Sequence, residues 1–320
     1  MSFFTSITIL QKAHEVCIHR IPSEKISVEP YDYTIIIPYR KRFSNLCITY
    51  ESIRKSIEHT SKRVHCIVFE HSEKPEAEQF CREHLIEYIY VPICDTIDNL
   101  EQFNRGLAFD MSVIYGLPAK GYVCHDVDIF IPVDFWNSLE QNCIDQKVSV
   151  LQTYANRCVN NIRPETTLQL HRGEVQYTAI TSSDCLPRLP GSWGGSLYIE
   201  REAYFEIGGH DPYIFSGHAP EDKCFVHKCN VKGYTIGFAN SPPIELYHQY
   251  HTPTGSTNPR VESMTVLFEY LKRTPDLLDQ YINTKKADML QCVSSVSNLV
   301  SNGASITPPS IGGKDIHSIP

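Results

Sequence analysis

"GYVCHDVDIFIP", residues 121 to 132, is an apolar strand interrupted by charge. Tyr122, Val123 and Cys124 suit the middle of a sheet, and Ile129, Phe130 and Ile131 resume the apolar run, with His125, Asp126 and Asp128 between them. An unpaired carboxylate buried there would cost several kcal/mol, on the order of a domain's whole stability margin. The pattern therefore predicts a strand that ends where the charges begin. Residues two apart in an extended segment point the same way, so Asp126 and Asp128 can face one site while Val127 packs behind them.

Upstream, "YTIII" (33 to 37), "VHCIVFE" (64 to 70) and "EYIYV" (87 to 91) are further strand-like runs. Phe43, Leu46, Cys47, Tyr50, Ile53 and Ile57 recur at helical spacing between the first two, and Leu100, Phe103, Leu107, Met111 and Ile114 do so before "GYVC". A βαβα order implies an α/β fold with a mostly parallel central sheet flanked by helices, and ligands gathering beyond the carboxyl ends of its strands. Residues 1–30 stand before this pattern as an N-terminal extension. From about residue 132 the alternation loosens. "GSWGGS" (191 to 196) marks a turn, followed by the strand-like "SLYI", a short helix from Glu200, a break at Gly208-Gly209 and a helix beginning near Glu221. This second half is α+β in character and is expected to pack on the same sheet. Residues 260 to 291 read as helical, and 292–320, low in bulky apolar residues, as a disordered tail.

The chain has 320 residues, 42% hydrophobic and 21% charged, enough for a large buried core. Its net charge of -8 argues against a surface devoted to nucleic-acid phosphates. No apolar run approaches the ~20 residues of a membrane helix, and "MSFFTSITIL" lacks a basic lead and a clear cleavage site. A soluble, cytoplasmic protein is expected. The 12 cysteines include no CxxC pair, which fits reduced, buried thiols.

A divalent cation would offset Asp126 and Asp128; oxygen ligands suit Mg²⁺ or Mn²⁺, and an added imidazole shifts the preference toward Mn²⁺. The plain alternative is a pair of surface-loop aspartates. "TIIIPYRKRFSNL" is expected to leave its strand at Pro38 and present Arg40, Lys41 and Arg42 either to a phosphate or nucleobase edge or simply to water. "FNRG" (103 to 106) falls on the third helix, from which Arg105 could reach the same mouth. In "SGHAPEDKCF" (216 to 225), Glu221 and Asp222 open a helix, where acids are favoured by the helix dipole; the functional reading makes Asp222 a general base. "YHQYHTP" brings His248 and His251 close enough to act as metal ligands, or leaves them as solvated loop histidines.

Taken in order, Pro38-Tyr39-Arg40-Lys41-Arg42, Phe103-Asn104-Arg105, Asp126-Val127-Asp128 with Pro132, Trp193-Gly194-Gly195, Gly208-Gly209, Glu221-Asp222 and His251 resemble the β-1,4-galactosyltransferases and their chondroitin-synthesising relatives over about residues 33 to 260. The resemblance implies a GT-A fold within a single domain at 31–291, with 31–132 the nucleotide-binding half and 133–291 the acceptor-side half. It also implies a UDP-sugar donor, Mn²⁺, a glycan acceptor and inversion at the anomeric carbon. Pro38, Tyr39, Arg40 and Arg42 would then hold uridine and diphosphate with Phe103 and Arg105. Val127, Trp193, Gly194 and Gly195 would line the donor site. Asp128 and His251 would bind the metal, Asp126 the sugar or ribose side, Asp222 would deprotonate the acceptor hydroxyl, and Glu221 would bind a sugar beside it.

The chain departs from that pattern at several places. Ser216, Gly217, His218, Ala219 and Pro220 replace the family's tryptophan- and glycine-rich acceptor loop, and Lys223 follows where an acid is usual. His248 stands in place of a methionine and could add a metal ligand. Ser192 is small where galactosyl enzymes carry tyrosine, so UDP-GalNAc competes with UDP-Gal as donor. A Golgi anchor like the family's is not expected. Two rival functions remain: a metal-dependent phosphohydrolase using His125-Asp126 with His248 and His251, and a catalytically silent sugar-nucleotide-binding protein.

Overall fold

A computed structural model describes residues 7–27, 29–94, 100–187, 193–217, 219–252 and 260–301. The first half runs α1 (Ile7–Val16), β1 (Ile18–Arg20), β2 (Tyr31–Tyr39), α2 (Phe43–Glu58), β3 (Val64–Ser72), α3 (Glu78–Glu83), β4 (Glu87–Pro92), α4 (Arg105–Tyr115) and β5 (Ala119–His125). β2 pairs in parallel with β3 and β5, and β3 with β4. The second half runs β6 (Ile129–Phe130), α5 (Phe135–Gln146), β7 (Val150–Gln152), β8 (Asn160–Asn161), α6 (Pro164–His171), β9 (Ser196–Glu200), α7 (Arg201–Glu206), α8 (Glu221–Val231), β10 (Ile236–Phe238), β11 (Tyr247–His248), α9 (Val261–Arg273) and α10 (Pro275–Ser301). It extends the same sheet: the order is β1-β4-β3-β2-β5-β9-β7-β10, with β9 antiparallel to both its neighbours. A second, small sheet, β6-β11-β8, stands at the carboxyl end of β5.

Strand periodicity sorts the core into two layers. Ile35 and Ile37 pack with Leu46 and Ile53 of α2 and Trp136 of α5. Ile36, between them, belongs to the other layer with Phe109 of α4, Tyr204 of α7, Phe225 of α8 and Met289 of α10. The N-terminal stretch joins this body, since Leu10 and Ala13 of α1 are buried and β1 pairs antiparallel with β4. All 12 cysteines are free thiols. Among the described residues no helix is long and apolar enough to cross a membrane.

Three expectations need correcting. Pro38 does not end its strand: β2 continues through Tyr39, paired Pro38 to Phe69 and Tyr39 to Glu70. The ladder to β5 has already stopped at Ile36 and Cys124, and a strand with one open side tolerates a proline. Leu100 and Phe103 precede α4 rather than lie on it, because Asn104 caps that helix, its side chain accepting from the Leu107 N–H at 2.9 Å. Finally, α10 continues through Ser301, ten residues beyond the point where a tail was expected, as Met289 and Cys292 bury one face of it against the core. The rest of the expected tail lies outside the described residues.

Gly121 of β5 lies under the Tyr198 ring of β9, and a Cβ there would meet ring atoms at 2.5 and 2.9 Å. Since Tyr198 is itself buried in the core, Gly121→Ala is expected to cost about 1–3 kcal/mol by overpacking, read as a lowered midpoint in equilibrium urea unfolding.

Candidate active site

The carboxyl end of β5 turns sharply, and its backbone is held from three sides. The Asp126 N–H donates to the Gly195 carbonyl at 2.7 Å, Thr49 Oγ1 of α2 donates to the Val127 carbonyl at 2.8 Å, and the Gln249 N–H donates to the Asp128 carbonyl at 2.8 Å. Val127 is buried behind the turn, as expected. Gly195 has φ of 99°, and a Cβ on it would come within 2.9 Å of Ile129; the turn needs a glycine there.

The small sheet delivers the histidines. His248 on β11 sits opposite Ile129 of β6 and beside Asn161 of β8. Its Nε2 lies 3.5 Å from Asp128 Oδ1, and His251 Nε2 lies 3.3 Å from Asp128 Oδ2. One donor atom from each of Asp128, His248 and His251 falls within 4.8 Å of the others. His248 Nδ1 faces Asn161 Oδ1 at 3.0 Å, an arrangement that fixes the tautomer and turns Nε2 toward Asp128. Burial alone would push the Asp128 carboxyl up, but the hydrogen bond and charge of His248, with Arg42 and His251, outweigh it and hold the carboxyl down at about 2. Burial lowers His251, whereas Asp128 overcomes burial at His248 and raises it. One carboxylate and two imidazoles make a donor set suited to Mn²⁺ more than to Mg²⁺.

Arg105, the first residue of α4, organises the other half of the site. Its Nε stands 2.8 Å from Asp126 Oδ1, and its Nη1 donates to Asp222 Oδ1 at 2.6 Å and lies 3.6 Å from Glu221 Oε1. Three carboxylates thus share one guanidinium, which also lies over the Phe109 ring. Burial and the neighbouring Asp222 push the Glu221 carboxyl up to about 8, against the pull of Arg105, and its Oε2 is buried with no hydrogen-bond partner among the described residues. Its surroundings accordingly favour the protonated form. Arg105 and Asp222 line one cavity with Trp193, Gly195 and His210.

A second buried charge cluster fastens α8 beneath these acids. Lys228 Nζ donates to the Gly209 carbonyl at 2.6 Å and to Asp211 Oδ1 at 2.9 Å, and Lys285 of α10 stands 3.3 Å from Asp110 and 3.5 Å from Asp211. Gly208 and Gly209 supply the left-handed turn this needs, with φ of 70° and 61°.

The other expected site residues have varied surroundings. Tyr39 is fully buried and its hydroxyl donates to Glu76 at 3.2 Å, so its side chain belongs to the core. Lys41, at φ of 53°, splits the basic turn: Arg40 and Lys41 pair with Glu73 at 2.8 and 2.9 Å, while Arg42 alone turns to Asp128. Phe103 receives the Gly217 N–H on its carbonyl at 2.7 Å. The Gly194 carbonyl accepts from the Tyr154 hydroxyl at 2.5 Å, and the Arg157 guanidinium lies 4.0 Å from the Trp193 ring centroid. His125 is buried with both ring nitrogens engaged, by Ser196 Oγ at 2.9 Å and the Ile129 carbonyl at 2.8 Å. It is therefore no ligand, and the phosphohydrolase reading loses its first histidine. Ser192 and His218 lie outside the described residues. Asn161, which aims His248, carried no sequence signal of its own.

No protein-family model matches the sequence, and no curated protein does. Solved structures match it by shape. Residues 1–349 of TarS from S. aureus, in complex with UDP-GlcNAc, superpose with a TM-score of 0.51 at 10% identity, over 86% of this chain and 76% of that one. The fold is GT-A. The catalytic domain of Drosophila β1,4-galactosyltransferase 7 in complex with xylobiose gives a TM-score of 0.43 at 14% identity, over 71% of this chain and 74% of that one. A mannosyltransferase from Pyrobaculum calidifontis in complex with GDP-Man and Mn²⁺ gives 0.44 at 13% identity, over 87% and 80%. In GT-A terms, β2 to β5 form the parallel core, and the acidic turn stands at the carboxyl end of its fourth strand.

Glu221 provides a pH test. A carboxyl raised from 4.5 in the unfolded chain to about 8 in the fold contributes stability that is complete below the unfolded value and lost as pH rises through the folded one. Glu221→Gln is expected to equal the parent protein near pH 4.5 and to be the more stable of the two above pH 8, as measured by urea unfolding across that interval.

Proposed function

We propose that the protein is a metal-dependent, inverting glycosyltransferase that moves a hexosyl group, Gal or GalNAc, from a UDP-sugar to a hydroxyl of a glycan acceptor. One observation carries this reading: at the carboxyl end of β5, a single turn presents Asp128 to two histidines on one side and Asp126 to the Arg105, Glu221 and Asp222 group on the other. A metal-binding half and an acid-base half thus meet across two residues of backbone. The reading is supported by the position of that turn at the carboxyl end of β5, the side on which such sheets bind ligands.

Asp128, His248 and His251 would hold Mn²⁺, which when bound neutralises charge on the departing diphosphate. Arg42 and Arg105 offer planar, charge-assisted hydrogen bonds to phosphate and sugar oxygens. Asp222, with 29% of its side chain exposed against 3% for Asp128, faces the cleft and takes the proton of the acceptor hydroxyl. As that oxygen bonds to the anomeric carbon, the carbon–oxygen bond to the diphosphate breaks and its electron pair leaves with UDP, inverting the centre in one displacement. Glu221, kept protonated, donates a hydrogen bond to a sugar hydroxyl beside the base. Holding the two substrates in line supplies much of the remaining acceleration.

The direct test is incubation with Mn²⁺ and a panel of UDP-sugars, scoring UDP release with and without sugar acceptors. Acceptor-dependent release is expected; hydrolysis of simple phosphoesters without sugar transfer would refute the reading. Asp222→Asn removes the base alone, so kcat is expected to fall roughly 10²–10⁴-fold while donor binding, followed by UDP titration, stays largely intact.

A further inference from the structure

Asp128 already has a cation in the chain by itself. Arg42 Nη1 is ion-paired to Asp128 Oδ2, the same oxygen that His251 Nε2 approaches at 3.3 Å. The other amino group of the guanidinium reaches His251 Nδ1 at 3.3 Å. One side chain therefore touches two of the three residues of the metal cluster. Its backbone is fixed at the start of α2, where the Arg42 carbonyl accepts the Leu46 N–H at 3.0 Å. The side chain itself keeps 26% exposure, against 3% for Asp128, so it can swing toward solvent while the helix stays in place.

We propose that Arg42 is a tethered stand-in for the metal ion, occupying the Asp128–His251 position until a diphosphate draws it away. This inference rests on the metal-site reading given above and adds its regulation. A guanidinium and a divalent ion are like charges that cannot share one carboxylate oxygen at contact distance. Phosphate oxygens compete well for the guanidinium, since they match its paired donors. Nucleotide binding thus exposes Asp128 to the metal, and the two ligands bind cooperatively by a reciprocal factor. With Arg42 returned to Asp128, the site holds the ion weakly and resists capturing it unaccompanied by nucleotide.

The test is direct titration with Mn²⁺ alone, followed by the electron paramagnetic resonance signal of free Mn²⁺, on the parent protein and on Arg42→Ala and Arg42→Lys. Both variants are expected to bind Mn²⁺ tighter than the parent by roughly 5–150-fold, the usual span of a coupling between sites. Lysine keeps the charge but cannot bridge Asp128 and His251 together, so it separates occupancy from simple repulsion. Added UDP is expected to tighten Mn²⁺ binding strongly in the parent and far less in Arg42→Ala. Equal affinity of parent and Arg42→Ala for Mn²⁺ alone overturns the inference and leaves the metal site standing. So does Arg42→Lys binding no better than the parent while Arg42→Ala binds tighter. Failure of every form to bind Mn²⁺, with or without UDP, overturns the metal site and the inference together.

Discussion

The arrangement follows from one electrostatic constraint: two carboxylates stand at the end of a buried strand and must be compensated. Asp126 and Asp128 cannot remain charged there unpaired, and each is answered from a different direction. Arg105 reaches Asp126 from the start of α4, while Arg42 and the two histidines reach Asp128 from α2 and the small sheet. Those partners bring their own elements with them. The cap of α4, the kink at Lys41 and the two-residue strands of the small sheet all serve to place a positive or hydrogen-bonding group at this turn.

The compensation is lopsided. Around Asp128 a single carboxylate meets three nitrogenous side chains; around Arg105 a single cation meets three carboxylates. The first imbalance holds the Asp128 carboxyl down, and burial together with the second pushes the Glu221 carboxyl up. Pairs of titratable groups pushed in opposite directions are what acid-base chemistry at neutral pH requires. Here they are produced by His248, Arg42 and His251 around Asp128 and by burial and the neighbouring Asp222 at Glu221.

Much of this was legible in the sequence. Parallel strands buried on both faces read as continuous apolar runs, so β2 to β5 stand out, and the charge cluster at residues 125 to 128 marks their carboxyl side. The two histidines and the acidic start of α8 also announced themselves by residue type. The small sheet did not, because two-residue strands have no period to detect. Nor did Asn161, whose role exists only through pairing with β11. Which of the three basic residues at 40 to 42 turns to Asp128 was hidden too, since only the left-handed backbone at Lys41 tells them apart. The end of α10 looked like a tail because serines and an asparagine break up its apolar residues, and the burial of Met289 and Cys292 against the core shows only in three dimensions.

The lysine and aspartate pairs beneath α8 bear on how such a protein could diversify. Lys228 moors the helix carrying Glu221 and Asp222 through Asp211, which Lys285 of α10 also approaches, and Phe215 and Ala219 of the preceding segment pack with Cys224 of the same helix. A change at Asp211 or Phe215 would therefore tilt the acids without touching them, so lineages sharing this scaffold are expected to alter the segment and the helix together.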